Sequence, residues 1–399
     1  MRIAYLSFTE IDISNACLIH THEIAEQLAS LGHEVTIFLP RPLKMHKWQQ
    51  VKHVWVRLWG FGGVKEALFR LESAFRILLL HFRKRFDLLY LREMKHNGLI
   101  PCLCKWLQLP LFIEVNGWVL DKLRLTGASL KKLNRARKRQ HSHFHKATGI
   151  VVSTPGIVEN IAQVYHVNKG RILMQPLGTN SIYFKPGDKK TSRENLRLPV
   201  EAKIFLFAGS FSLTHDLSLL LDAFSSLLSL WQQSLLILLG EGTQRKAMEK
   251  RASGLGISDR VLFTSAVSYE NVGIWMQAAD AGIIPLTESN VRRRNGCMTL
   301  KLWDYMASGL PVIATDLPGT MTYRLLKDYV ILVPPGDKRM MVKAMLQIIE
   351  NAMKREDLSK KGRGFVIKNR TWRHAALETD SFIRTQLKKT KEVYGPYNY

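Results

Sequence analysis

Apolar residues in this chain gather in short runs, and the runs alternate with longer stretches in which apolar positions return every three or four residues. The opening MRIAYLS is one such run. A polar loop over 8–15 follows, then HTHEIAEQLASLGHEV, patterned as a helix, whose Leu-Gly exit leads into VTIFLP. Strand, helix and strand at this spacing form a βαβ unit and predict a parallel sheet. The alternation continues through FDLLYLR (86–92), a helix around 100–107, LPLFIEVNG (109–117) and GIVVSTPG (149–156) with a helix after it. From 189 to 199 the chain turns polar and charged without hydrophobic periodicity, which predicts a linker. Strands are then predicted at KIFLFAG (203–209), SLLILLG (234–240), RVLFTSAV (260–267), AGIIPL (281–286), LPVIATD (310–316) and VILVPPG (330–336). The expected fold class is α/β, with two doubly wound domains whose strand ends face a shared cleft. The expected boundaries are 1–188, 189–375, and a C-terminal helix and tail, 376–399, returning to the first domain.

Composition adjusts this picture in three ways. At 399 residues the chain exceeds what one hydrophobic core usually serves, so two domains are the default. No apolar run is long enough to span a bilayer, and the first thirty residues read as strand and helix rather than a signal peptide, so a cytoplasmic protein is expected. Cys17, Cys102, Cys104 and Cys297 form no CxxC pair, which fits a reducing compartment and gives no reason to expect a metal.

Charge adds a candidate partner. The net charge is +25, and its excess lies early, with 29 Lys and Arg against 13 Asp and Glu through residue 190. The stretch 122–146 holds nine Lys or Arg and no acid, while Arg83, Lys84 and Arg85 close the apolar segment FRLESAFRILLLHFRKR. Basic residues beside apolar helix faces suit an anionic membrane surface, here the inner face, to which the protein would bind peripherally. Specific nucleic-acid binding is not expected, because no reader motif accompanies the charge.

The segment CMTLKLWDYMASGLPVIATDLPG (297–319) carries the most chemistry. If a helix starts near Thr299, Lys301 lies in its first turn and Asp304 follows one turn later on the same face. The helix start and the lysine together favour a diphosphate, and Asp304 suits the hydroxyls of a ribose. The same residues also fit an amphipathic helix with a glycine stop feeding a buried strand, and the segment alone leaves both readings open.

Together with GHEVTIF, VVSTPGIVENI, RILMQPLGTNSIYFKP, ILLGEGTQRKAMEK and RVLFTSAVSYENVGIWMQAADAGIIPL, this segment resembles the retaining family-4 glycosyltransferases of the GT-B fold. The resemblance implies a second domain that binds a nucleotide diphosphate sugar and a first that binds a lipid-linked or other glycan acceptor. It places Lys301 at the diphosphate and Asp304 at the ribose, where the family has the second of two glutamates. Gly296 stands where the first is common. Cys297, Met298 and Thr299 would lie by the phosphates, with Gly209 and Ser210 at the first turn of that domain. The arginine and lysine that the family commonly supplies after that glycine are missing, and Arg292, Arg293 and Arg294 are candidates to replace them. Gly240, Glu241 and Val267 would meet the base or ribose.

In the first domain Asn116 occupies the place where many relatives have a histidine, with Glu114 on the same strand face, and Ser14, Asn15 and His20 are acceptor candidates. Retention would proceed by front-face attack, the leaving diphosphate taking the acceptor's proton, with Lys301, Asn116 and Glu114 assisting. No cofactor beyond the co-substrate and no metal is implied. A catalytically silent GT-B scaffold is the alternative.

Overall fold

The computed structural model describes residues 1–9, 16–41, 51–58, 63–93, 98–125, 127–289, 295–296, 299–317 and 326–394. The chain divides into two compact units, Met1–Pro176 joined by Trp372–Tyr399, and Leu177–Thr371.

The first unit holds a parallel seven-stranded sheet, built from β1 (Arg2–Leu6), β2 (Glu34–Pro40), β3 (Lys52–Val56), β4 (Leu88–Arg92), β5 (Leu111–Val115), β6 (Gly149–Val152) and β7 (Ile172–Met174) in the order β3-β2-β1-β4-β5-β6-β7. The second holds a parallel six-stranded sheet, β8 (Lys203–Ala208), β9 (Ser234–Leu239), β10 (Val261–Thr264), β11 (Ala281–Ile284), β12 (Val312–Thr315) and β13 (Ile331–Val333), in the order β10-β9-β8-β11-β12-β13. The central strands are buried along their whole length, which is why they read as unbroken apolar runs. The edges read less clearly. β3 and β7 were not predicted: both are short edge strands and largely half-exposed.

Each order reverses direction once, at β1/β4 in the first unit and at β8/β11 in the second. In doubly wound sheets the crevice at the carboxyl ends of such strands is where ligands bind.

The unit boundaries differ from the expected 188/189 and 375/376. Phe184 is fully buried among residues of the second core, so the segment from Leu177 belongs there. The expected linker is also partly a helix, Lys189–Asn195. Polar contacts rather than an apolar stripe hold it: the Asp188 carboxylate accepts from the Thr191 amide at 2.7 Å, and Arg193 donates to the Ala278 carbonyl and to Asp280, both at 2.8 Å. A helix fixed this way leaves no hydrophobic period to read.

The C-terminal helix Trp372–Tyr394 packs on the first unit against the helix Ala16–Ser30. Trp372 is fully buried with its ring 5.2 Å from that of His20, and His33 bonds to Asp380 at 3.0 Å. At the other side of the junction, the Thr179 amide donates to the Arg370 carbonyl at 3.0 Å.

The helix Gly63–Arg83 is apolar on two faces. Phe69, Ala74 and Ile77 enter the core, while Val64, Leu68, Leu71, Phe75, Leu79 and Phe82 form a second stripe that faces solvent, Phe75 being 64% and Phe82 70% exposed. Steps of three and four residues place those six on one side of a helix.

Candidate functional site

The helix Leu300–Ala307 carries the motif lysine and aspartate. Its start is marked by Thr299, in extended conformation at the N-cap without a side-chain capping bond, and its end by Gly309, whose φ of +69° continues the chain into β12. Trp303 and Tyr305 anchor it in the core. The Tyr305 hydroxyl accepts from the Ala208 amide at 2.8 Å and donates to the Leu206 carbonyl at 3.3 Å, tying the helix to the carboxyl end of β8. Gly282 on β11 makes room for that ring, which a Cβ would overlap.

Lys301 reaches back over the turn that leaves β8. Its Nζ lies 3.0 Å from Nε2 of His215 and 4.2 Å from the centre of the Phe207 ring, a cation–π contact. Gly209 has φ +152°, and a Cβ there would sit 2.5 Å from Lys301 Nζ. The bare glycine is therefore what lets the ammonium lie on the backbone. His215 pairs in an antiparallel bridge with Leu286, just beyond β11, so lysine and histidine both stand at the β8/β11 switch point. Ser210 lies in the same turn, its carbonyl 3.0 Å from His215 Nδ1 and its hydroxyl 3.4 Å from that of Ser212.

Asp304 goes elsewhere. It is 4% exposed and accepts from the Thr179 hydroxyl at 2.6 Å, so the two motif side chains, one turn apart, engage different surroundings. The Gly240 turn has a structural cause: φ is +144°, and a Cβ would collide with the Gly209 carbonyl. Neighbouring Glu241 pairs with Arg245 at 2.8 Å, and Val267 packs partly buried against the core. Gly296 takes φ +74°. Cys297, Met298, Arg292, Arg293 and Arg294 lie outside the described residues, as do Ser14 and Asn15.

At the β1/β4 switch point of the first unit the sequence candidates Glu114, Asn116 and His20 come together around one buried carboxylate. Glu114 accepts from Tyr5 Oη and Arg92 Nη1, each at 3.1 Å, and from the Asn116 side-chain amide, while His20 Nε2 lies 3.5 Å away. Arg92 and Glu114 are register partners across β4 and β5, which places the ion pair without help from any loop. Burial raises the Glu114 carboxyl, but His20, Arg92 and the hydrogen bonds from Asn116 and Tyr5 outweigh it and hold the group below its usual range. Burial pushes His20 down to about 4 against the pull of Glu114, so its imidazole is neutral near pH 7. Next to this cluster burial raises Glu93 to about 7, its carboxylate accepting from Gln140 at 2.9 Å.

Arg92, Tyr5, Thr179 and His215 were not found from the sequence. Each becomes a site neighbour only once the strand order is fixed, and no local spacing announces that. Among the described residues no group of three or more His, Cys, Asp or Glu is placed to hold a metal ion.

Two doubly wound parallel units in one chain are the architecture of the GT-B fold, which similar proteins bear out. A "Glycosyltransferase Family 4" model matches residues 19–181 and a "Glycosyl transferases group 1" model matches residues 188–365; the chain belongs to the family-4 glycosyltransferases. Among curated relatives, it is 26% identical over 221 residues to the lipopolysaccharide core biosynthesis glycosyltransferase LpsE of Rhizobium meliloti, a match covering 55% of this chain and 59% of LpsE. It is 24% identical over 365 residues to the D-inositol 3-phosphate glycosyltransferase of Thermobispora bispora, covering 82% and 80% of the two chains. The fold matches that of Anabaena HepE, solved in complex with UDP and glucose, at a TM-score of 0.74 and 14% identity over 96% of this chain and 100% of that one.

Proposed function

We propose that the protein moves a sugar from a nucleoside diphosphate sugar to a hydroxyl acceptor with retention, in the synthesis of lipid-linked glycans or cell-surface polysaccharide. The observation that carries this reading is the Lys301 ammonium held over the Gly209 backbone at the β8/β11 switch point. A cation there, beside the bare Gly209 backbone, is suited to the charge that grows on a departing diphosphate. In front-face attack the acceptor oxygen bonds to the anomeric carbon as the sugar–phosphate bond breaks, and the acceptor's proton passes to the leaving phosphate. The protein's part is then to bind, orient and neutralise. HepE, with UDP and glucose bound, supports the choice of donor, and LpsE, by its role in lipopolysaccharide core synthesis, supports the choice of acceptor.

Thermal-shift screening against UDP-, GDP-, ADP- and dTDP-sugars, followed by nucleotide release on acceptor extracts, tests the proposal. A stabilising ligand with turnover supports it, and binding without turnover favours the silent scaffold.

The reading includes peripheral binding to the inner face of an anionic membrane. Its support is the solvent-facing apolar stripe of Gly63–Arg83, closed by exposed Arg83, Lys84 and Arg85. The helix Leu99–Trp106, with Trp106 66% exposed, packs beside it and also against Leu130–Lys146, whose Lys131, Lys132, Arg135, Lys138 and Arg139 are exposed. No helix among the described residues is long and apolar enough to cross a membrane. Sedimentation with anionic vesicles should carry the protein down, and equal binding to neutral vesicles would count against the charge in this reading.

A further inference from the structure

We infer that His215, in its neutral form, is the positioning residue for Lys301, and that the grip on a diphosphate is therefore released by mild acid. The inference rests on the donor reading above and deepens it. Both ring nitrogens of His215 have partners. Nδ1 lies 3.0 Å from the Ser210 carbonyl, which can only accept, so this nitrogen carries the proton. Nε2 is then a lone pair, and it lies 3.0 Å from the Lys301 ammonium, which can only donate.

A chain of defined direction results: Lys301 donates to His215, and His215 donates to the Ser210 carbonyl. The rest of the surroundings hold the ring in that sense. The Phe207 ring meets the imidazole edge-on at 5.0 Å, the Thr214 hydroxyl is 3.5 Å from Nδ1, and the backbone bridge to Leu286 fixes the main chain. Asp216, next in sequence, turns its carboxylate to the Leu219 amide at 3.0 Å. Lys301 is the charged group bonded to Nε2, and Glu288 stands two residues beyond Leu286, the backbone partner of His215. Protonating Nε2 would set a cation against the ammonium, and the lysine would swing away from the Gly209 turn.

A lysine on a flexible four-carbon stem gains affinity for a phosphate when its direction is set beforehand. His215 thereby supplies part of what the missing basic pair after Gly209 would have supplied, without adding a second charge at neutral pH.

The test compares the native chain with His215→Leu, His215→Gln and Lys301→Ala. UDP, GDP, ADP and inorganic pyrophosphate serve as probes, titrated calorimetrically at about pH 7.5 and about pH 5.5, on either side of an ordinary imidazole. Circular dichroism checks folding. At the higher pH, His215→Leu should bind the best probe about tenfold more weakly, while His215→Gln, which keeps an acceptor for the ammonium, should stay within about threefold of native. Between the two pH values the native chain should lose about tenfold more affinity than His215→Gln, the probe's own ionisation being common to both. Native binding that instead tightens in acid relative to His215→Gln means that an imidazolium touches the phosphate directly, and it overturns the inference. Binding that is lost in Lys301→Ala but unchanged in both His215 variants overturns it while leaving the donor reading intact. Failure of the native chain to bind any probe overturns both.

Discussion

The two sheets reverse their winding at equivalent places, and what fills the two crevices differs. At β8/β11 Lys301 lies over the bare Gly209 backbone, steadied by an imidazole and an aromatic face. At β1/β4 a carboxylate is enclosed by an arginine, a tyrosine and an amide, with a neutral histidine alongside. The β1/β4 crevice balances a buried carboxylate with a buried guanidinium, and the β8/β11 crevice sets an ammonium against an imidazole and an aromatic face. Candidacy in the sequence therefore does not mean equal burial: Glu114 is 1% exposed and held by protein groups, while Lys301 is half-buried. The contrast also separates stability from binding, since breaking a buried ion pair strands a charge, whereas truncating a half-exposed lysine strands nothing comparable.

The sharpest break of the contrast is Arg92→Leu. It leaves the Glu114 carboxylate buried without its guanidinium and should cost the first unit about 3 to 5 kcal/mol in urea unfolding. Lys301→Ala should leave that transition in place, and equal effects of the two substitutions would erase the distinction between the crevices.

Next in size is the pH dependence of the first unit, where two groups oppose each other. His20 titrates near 4 in the fold against 6.5 when exposed, so on acidification the unfolded chain takes its proton first. Stability is lost as pH falls from about 6.5 to about 4, on the order of 3 kcal/mol in all. Glu93, raised from 4.5 to about 7, works the other way, its contribution being complete below the lower value and fading as pH rises toward the upper. Melting temperatures against pH should show His20→Asn flattening the acid-side loss and Glu93→Gln steepening it.

Lys301→Ala should weaken nucleoside diphosphate binding by about 1.5 to 3 kcal/mol, the worth of a charge-assisted bond. Unchanged turnover in that folded variant would remove the lysine from the donor site. Gly209→Ala is milder in stability, about 1 kcal/mol for the unfavourable φ. Because its Cβ overlaps the movable end of Lys301 and meets the Phe207 ring at an ordinary contact distance, its larger effect should appear as weaker binding in the same titration. Smallest in stability, within about 0.5 kcal/mol, is Phe75→Ser with Phe82→Ser, since both rings face solvent. That pair should nonetheless abolish sedimentation with anionic vesicles, and retained binding would detach the apolar stripe from membrane docking.

Much of the architecture was legible because parallel strands buried on both faces leave continuous apolar runs, as in FDLLYLR and KIFLFAG. The period-two spacing of Glu114 and Asn116 likewise put both on one face, where they do meet. Features held together by polar groups were hidden. The helix Lys189–Asn195 looked like a linker because Asp280 rather than a core secures it. Lys301 and Asp304 were read as neighbours on one helix face, and spacing along a helix does not say that one side chain ends over a glycine and the other against Thr179. His215 sat in the stretch that departs from the family's pattern, where the motif had stopped being a guide.

The return of Trp372–Tyr394 to the first unit makes the second an insertion, entered and left at neighbouring backbone positions. On the ribosome, the first 176 residues emerge long before Trp372 is available to cover His20 or Asp380 to meet His33. The unit of the two that is synthesised first is thus the last to be finished, and a nascent chain arrested before residue 372 carries an open seam where a chaperone or a protease would find it.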